Sequence, residues 1–388
     1  MTPFRTIRNR QRGLSLIELM IAMVLGLLVV GAILQLFIGS RATQMSNEAL
    51  ARVQENGRFS IELLKREFRE VGTHGFCAAD MEIRNHLRSD CDNYVNSIYN
   101  PNRAFVGWEY ASTGRGEAYT LDEADIEPAS GSASSWQSAD GAGTIDLPDI
   151  LDGEVVPGSD VVVVRQPVVI PGLTADGNQP ANANAITLNN PNTLAKNEIV
   201  LITNCTTGAD LFQNRSNGNA SAVSAGSGNC ASPGPGNQNG LDWSTAYDES
   251  MQMFRIRVLA YYIGYNADTQ EPGLYRANLS EGTDSIVTEE LVQGVETMQV
   301  LYGYSLPVEQ GGDGQTVDFW LPADEVPDWQ FVIGVRLSML MRSPDTMADG
   351  QVQRTFDLAS TQFTHPEDGR LRQPFFASIS LRNRQIVM

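Results

Sequence analysis

The chain has 388 residues and a formal net charge of −19, with 46 acidic against 27 basic side chains. An acidic surface of this kind favours solubility and argues against nucleic-acid binding, which needs a basic stripe. The length leaves room for one large or two modest domains with a sizeable core.

The first 13 residues carry Arg5, Arg8, Arg10 and Arg12 and no acid. From Leu19 to Ile38 no residue is charged, a run of about 20 residues that crosses a bilayer core as a helix. The preceding arginines predict a cytoplasmic flank, with the globular part beyond the inner membrane, in the periplasm. A secretory signal has a shorter apolar region and a small-residue cleavage site. Here the helical pattern continues instead. Residues 40–71 contain no proline, and Val53, Ile61, Leu64, Phe68 and Val71 recur mostly at three- and four-residue steps. Gly57 is the weak point, costing about 1 kcal/mol relative to alanine. One helix over 14–71 is expected, with 14–38 as its membrane part. It would be apolar all round in its first half and striped in its second, anchored in lipid at one end and packed on a domain at the other. Glu18 stands near the start of the apolar run. An ionised carboxylate inside a span costs on the order of 3 kcal/mol, so it needs a partner.

Beyond Val71 the chain reads as β-rich. Short β-branched runs start at Ser159 and Asn197, a longer strand at Met253, and hairpin partners at Gly273 and Ser285. Further strands start at Gly294, Phe331 and Phe375, and in the second of these Ile333, Val335, Leu337, Met339 and Met341 alternate. Strands without intervening helices predict a mostly antiparallel sheet, and the striped helix laid on it gives an α+β domain over 72–388. Two segments, about 109–151 and 204–250, are rich in Ser, Gly, Asn or acid. They read as surface insertions on one domain, the alternative being a second small domain over 100–250.

Cys77, Cys91, Cys205 and Cys230 fall as two close pairs without the CxxC spacing of a zinc site. In an exported chain they read as disulfides, Cys77–Cys91 and Cys205–Cys230, although four cysteines allow three connectivities and free buried thiols are the alternative. No nucleophile-elbow, metalloprotease, dinucleotide or Walker motif is present. His74, His86 and His365 are scattered, and a zinc site of His74 and His86 with Cys77 and Cys91 matches no common spacing. The acidic turns starting at Asp152 and Gln310 lack the spacing of a calcium loop and read as solvated turns. The expectation is a non-enzyme with no metal or cofactor.

"RQRG" followed by "LSLIEL" resembles the class III signal of type IV prepilins and pseudopilins. The resemblance implies cleavage by a prepilin peptidase between Gly13 and Leu14, N-methylation of Leu14, and Glu18 as the fifth mature residue. A new α-amine on Leu14 would be positive below a pKa of about 8 and one helical turn from Glu18, in the same or a neighbouring subunit. Leu14 replaces the commoner Phe, and the proline that kinks major pilins is missing. The segment from Glu48, with its "ENGRF", is similar to the PilW minor pilins, as are "LVQGVETMQVLYGY" from Leu291 and the terminal "SLRNR". The family implies a pilin-like fold and a minor pilin that primes type IV pilus assembly at the tip. Its partners would be other minor pilins, the major pilin and a tip adhesin, with roles in twitching motility and cell adhesion. A type II secretion pseudopilin, or a membrane-anchored periplasmic enzyme or receptor, are the alternatives.

Overall fold

The computed structural model describes residues 15–71, 83–88, 103, 105–122, 126–140, 143–228, 235–240, 242–279, 287–347 and 352–381. A single long helix, α1 (Leu16–Arg69), opens the chain. At about 1.5 Å per residue its 54 residues extend roughly 80 Å. Ser15 caps it and Glu18 closes a capping box, the Ser-x-x-Glu pattern that satisfies the first free amides.

The strands follow in chain order: β1 (Ile83–Asn85), β2 (Phe105–Tyr110), β3 (Ala118–Thr120), β4 (Trp136–Gln137), β5 (Ala139–Asp140), β6 (Gly143–Thr144) and β7 (Val161–Val169). Next come β8 (Ile186–Thr187), β9 (Ile199–Thr203), β10 (Ala209–Gln213), β11 (Ala222–Val223), β12 (Gln252–Asn266), β13 (Glu271–Asn278) and β14 (Val287–Gln293). The last are β15 (Val295–Tyr304), β16 (Phe319–Leu321), β17 (Val332–Thr346), β18 (Thr355–Leu358), β19 (Thr361–Thr364) and β20 (Arg370–Ser380).

Two larger sheets share the helix. In the first, the 15-residue β12 pairs with β7 along one edge and with β9 and then β13 along the other. The sheet extends through β10 to β1 on one side and through β2 to β4 on the other, while β14 pairs with β13. The second sheet is antiparallel in the order β16-β15-β17-β20. The pairing is mostly antiparallel, as the sequence implies; β1 on β10 and β3 on β19 are parallel. Gly294 marks the passage between the sheets, with a left-handed φ of 84° and only 2.9 Å from its virtual Cβ to the Arg342 carbonyl. Any side chain there would be strained in conformation and crowded by backbone.

The principal core runs between α1 and both sheets, from Leu64 and Phe68 through Val161–Val164 to Val335, Leu337 and Met339. A second, smaller cluster gathers Ile170, Leu188, Val200, Phe212, Trp243 and Tyr247. The two segments expected to be surface insertions therefore do more than decorate the surface. Within 204–250, all five residues of β10 are buried, and Trp243 and Tyr247 belong to the second cluster. Within 109–151, Trp136 is buried and its indole N–H donates to the Ser159 carbonyl at 2.8 Å. Their apolar residues come singly or in runs too short to show a period against a polar background.

Buried ion pairs join strands of both sheets. The Arg342 guanidinium donates twice to Glu271 Oε2 (2.9 and 2.7 Å). Arg372 donates to both oxygens of Glu296 (2.7 Å each) and both of Asp368 (2.6 Å each). Arg370 completes the group on Glu271 Oε1 at 2.7 Å. Each charge in this group thus has a hydrogen-bonded opposite charge, bidentate where Arg372 meets Glu296 and Asp368, the arrangement that offsets desolvation.

Candidate functional site

The helix divides into two halves with different environments. All residues from Leu16 to Ser40 are exposed, among them 17 large apolar side chains from Leu16 to Ile38. It is long and apolar enough to cross a membrane. Space is open around the Cβ positions of Gly26, Gly31 and Gly39, so this surface has small-residue sites where another helix can approach closely.

Gly13 and Leu14, the residues of the expected cleavage and methylation, lie outside the described residues. Glu18 sits in the first turn of α1. Its Oε2 accepts the Ser15 backbone N–H at 3.1 Å, and Ser15 Oγ accepts the Ile17 N–H at 3.4 Å. The carboxylate thus has a local role, as a helix cap, that the reading of Glu18 as an ion-pair partner omitted. "SLIE" shows it in the sequence. One hydrogen bond leaves carboxylate lone pairs free for a further donor.

The second half is docked. Ala49, Val53, Gly57, Ile61, Leu64 and Phe68 form its buried stripe. Phe68 meets Phe105 and Tyr261 edge-on, at 5.0 and 5.6 Å between ring centroids. Glu67 accepts from the Tyr261 hydroxyl at 3.1 Å and from Gln166 Nε2 at 3.2 Å. Burial and the Glu67 charge raise the Tyr261 pKa, so this phenol stays a donor. Asn56 Nδ2 donates to the Gln293 carbonyl at the end of β14 (3.2 Å). Gly57 faces the Phe375 ring of β20, which occupies the place a Cβ would take. The glycine that looks like a helix defect in sequence is therefore a packing site.

The cysteines are only partly within view. Cys205 lies in the turn between β9 and β10 with a φ of 63°, and it is disulfide-bonded. Cys77, Cys91 and Cys230 lie outside the described residues, as does His74.

Among the described residues, three groups of reactive side chains are each engaged in structural contacts. Asp210, fully buried, gathers His86 Nε2 (2.6 Å), Ser244 Oγ (2.6 Å) and the Tyr247 hydroxyl (2.5 Å). Serine and histidine both bind the aspartate rather than each other, so the histidine is not placed to take the serine proton. Sequence spacing missed this group because its members are spread over three separate segments. His365 is held through Nδ1 by the Pro366 carbonyl (2.6 Å), while its Nε2 accepts the Arg354 N–H (3.1 Å). Glu109 and Asp160 are both buried, and burial raises both pKa values, with repulsion from Asp160 adding at Glu109 and repulsion from Asp324 at Asp160. The acidic turns are likewise occupied: Asp152 accepts the N–H groups of Gly131, Ser132 and Ala133, and Asp313 those of Gln315 and Thr316. Among the described residues no group of three or more His, Cys, Asp or Glu could hold a metal ion.

Two family models match. The type IV pilus-assembly protein W model matches residues 260–383, from the second half of β12 through β20, including the whole Arg342–Arg370–Arg372 ion-pair group. The prokaryotic N-terminal methylation motif matches residues 8–34. Neither a curated protein nor a solved structure gives a significant match. The pairing of these models points to a structural protein of pilus assembly. With the methylation motif running into an exposed apolar helix, and the pilus-assembly match covering the second sheet, on which that helix also packs, the chain is similar to PilW-like type IV pilins over these two stretches.

Proposed function

We propose that the protein is a minor pilin subunit with a pilin-like fold that primes type IV pilus assembly at or near the tip. A prepilin peptidase cuts between Gly13 and Leu14, and Leu14 is N-methylated. The chain is held in the inner membrane through residues 14–38, with residues 72–388 in the periplasm. It then enters the fibre with other minor pilins, the major pilin and a tip adhesin. The observation that carries this reading is the division of α1 into an exposed apolar half and a docked half, directly after the methylation motif. Leu19 to Ile38 would exchange lipid for neighbouring helices, which associate by close packing. The Leu14 amine would supply the donor that Glu18 still has room for.

Mass analysis of the protein extracted from membranes tests the reading. A methylated Leu14 start supports it; an intact Met1 leader makes α1 a plain signal anchor. Glu18→Val is expected to leave cleavage intact and to lower piliation and recovery with other minor pilins. Wild-type piliation in that variant removes the ion-pair role. Loss of twitching with protein secretion intact separates a pilus subunit from a secretion pseudopilin.

A further inference from the structure

A cleft opens between β2 of the first sheet and the 3-10 turn Ala323–Glu325, which follows β16 of the second. It holds about 320 Å³, near the lower end of the range for ligand pockets. Ser112, Arg115, Glu117, Asp324 and Glu325 are exposed and form its rim, while Glu109, further in, is buried. Among the described residues of the lining only Arg115 is basic, and its guanidinium donates to the Trp320 carbonyl at 3.0 Å. Four carboxyl groups thus line the cleft against one cation.

A second observation concerns the groups behind Glu109. Tyr302 is fully buried, and its hydroxyl has no hydrogen-bond partner among the described residues. It faces Asp160 and Glu109 and fills the place where a Cβ on Gly107 of β2 would stand. A buried phenol with nothing to bond is costly, and it stands beside two carboxyls that have no ion pair among the described residues. Both observations point to an occupant that brings positive charge and hydrogen-bond donors.

We propose that the cleft receives a lysine or arginine side chain of a partner protein, its charged head reaching Glu109 past the rim acids Glu117, Asp324 and Glu325. A metal ion fits less well, since among the described residues no three ligating groups converge on one point. An ammonium has three donors and a guanidinium five, fanned out, so either bonds carboxyls that do not converge. The aliphatic stem of such a side chain crosses the rim while the head goes deeper. The choice of a protein as the source of the cation rests on the pilus-assembly reading; the cation site itself does not. Burial raises the pKa of Glu109 and Asp324, and an incoming cation favours their ionised forms, so binding strengthens as pH rises.

Titration calorimetry and thermal unfolding of the full-length, detergent-extracted protein test the proposal. The probes are Ac-Gly-Lys-Gly-NH2 and Ac-Gly-Arg-Gly-NH2, with the norleucine peptide as the uncharged control. Each cationic peptide is expected to raise Tm by roughly 3–6 °C at ten times its Kd, and the norleucine peptide to leave it unchanged. Glu109→Gln and Asp324→Asn are each expected to weaken the lysine peptide about tenfold. Glu249→Gln, at an exposed acid outside the cleft, is expected to have no effect. An equal response to norleucine, or binding that survives both cleft substitutions, overturns the site, as does an equal loss in Glu249→Gln. Failure of both cationic peptides overturns it too and leaves the pilus-assembly reading standing. Spermidine binding more tightly than the lysine peptide assigns the cleft to a free polyamine and overturns the partner side chain.

Discussion

Glu109 and Asp160 are two buried carboxyl groups with which, among the described residues, no cation forms an ion pair. Asp160 accepts the N–H of Val300 at 2.8 Å and that of Tyr110 at 3.3 Å, so its carboxyl joins β15 of one sheet to β2 of the other. Glu109 accepts the Thr113 hydroxyl at 3.0 Å. Half-buried Asp324 and the Tyr302 phenol face the same pair, and burial raises the pKa of each. A raised folded-state pKa contributes stability that is complete below the unfolded value of about 4 and lost as pH rises through the folded value. Glu109→Gln removes one ionisation from this pair. It is expected to raise Tm near neutral pH by a few degrees, with little effect near pH 4. At this chain size, about 2–4 °C corresponds to each kcal/mol. Thermal unfolding of the detergent-extracted chain at several pH values checks it, and parallel pH profiles for variant and parent reject the assignment.

At the scale of elements, α1 shows which of two effects wins at one residue. Helix propensity alone gives Gly57→Ala a gain of about 1 kcal/mol. The added methyl would meet the Phe375 ring, and overpacking costs roughly 1–3 kcal/mol. Gly57→Ala is therefore expected to destabilise, and Phe375→Leu to restore part of the loss in the double variant. Purely additive effects in that cycle would mean that the close approach is not felt. The ion-pair group gives a larger effect. Arg372→Met leaves Glu296 and Asp368 buried without their main cation, which costs about 3–5 kcal/mol. Burial works against ionisation of Asp368, but hydrogen bonds and charge from Arg372 and Arg370 outweigh it and hold its pKa below the usual carboxylate range. The variant should thus be recovered best at mildly acidic pH, as judged by Tm. An unchanged Tm at neutral pH would mean that the group is not a clamp.

At the scale of the whole molecule, the helix is legible in sequence because its signals are long: an unbroken apolar run, then a stripe at regular steps. The expected 14–71 helix is found as Leu16–Arg69. The long strands β7, β12, β15, β17 and β20 are legible for the same reason. Short β8, β10 and β11 are not, since two to five residues cannot display a period. The Asp210 cluster and the role of Gly57 depend on contacts between distant segments, which local sequence does not encode. The division of α1 has its own consequence for stability. The side chains from Leu16 to Gly39 are exposed and add nothing to either core. A chain starting at residue 40 is therefore expected to be soluble and monomeric, with circular dichroism and Tm close to those of the full protein. Aggregation, or loss of the β spectrum, would show that the apolar half supports folding.

One consequence is mechanical. The docked half of α1 touches β14 through Asn56, β20 through Gly57, and β7 and β12 through Glu67. A pull on the membrane end travels down a continuous rod and is shared among attachments spread over some 11 residues, roughly 16 Å. No single attachment takes the whole load first. Traction along the rod must break contacts to both sheets together, so the globular part is hauled as one body instead of unravelling from its first residue.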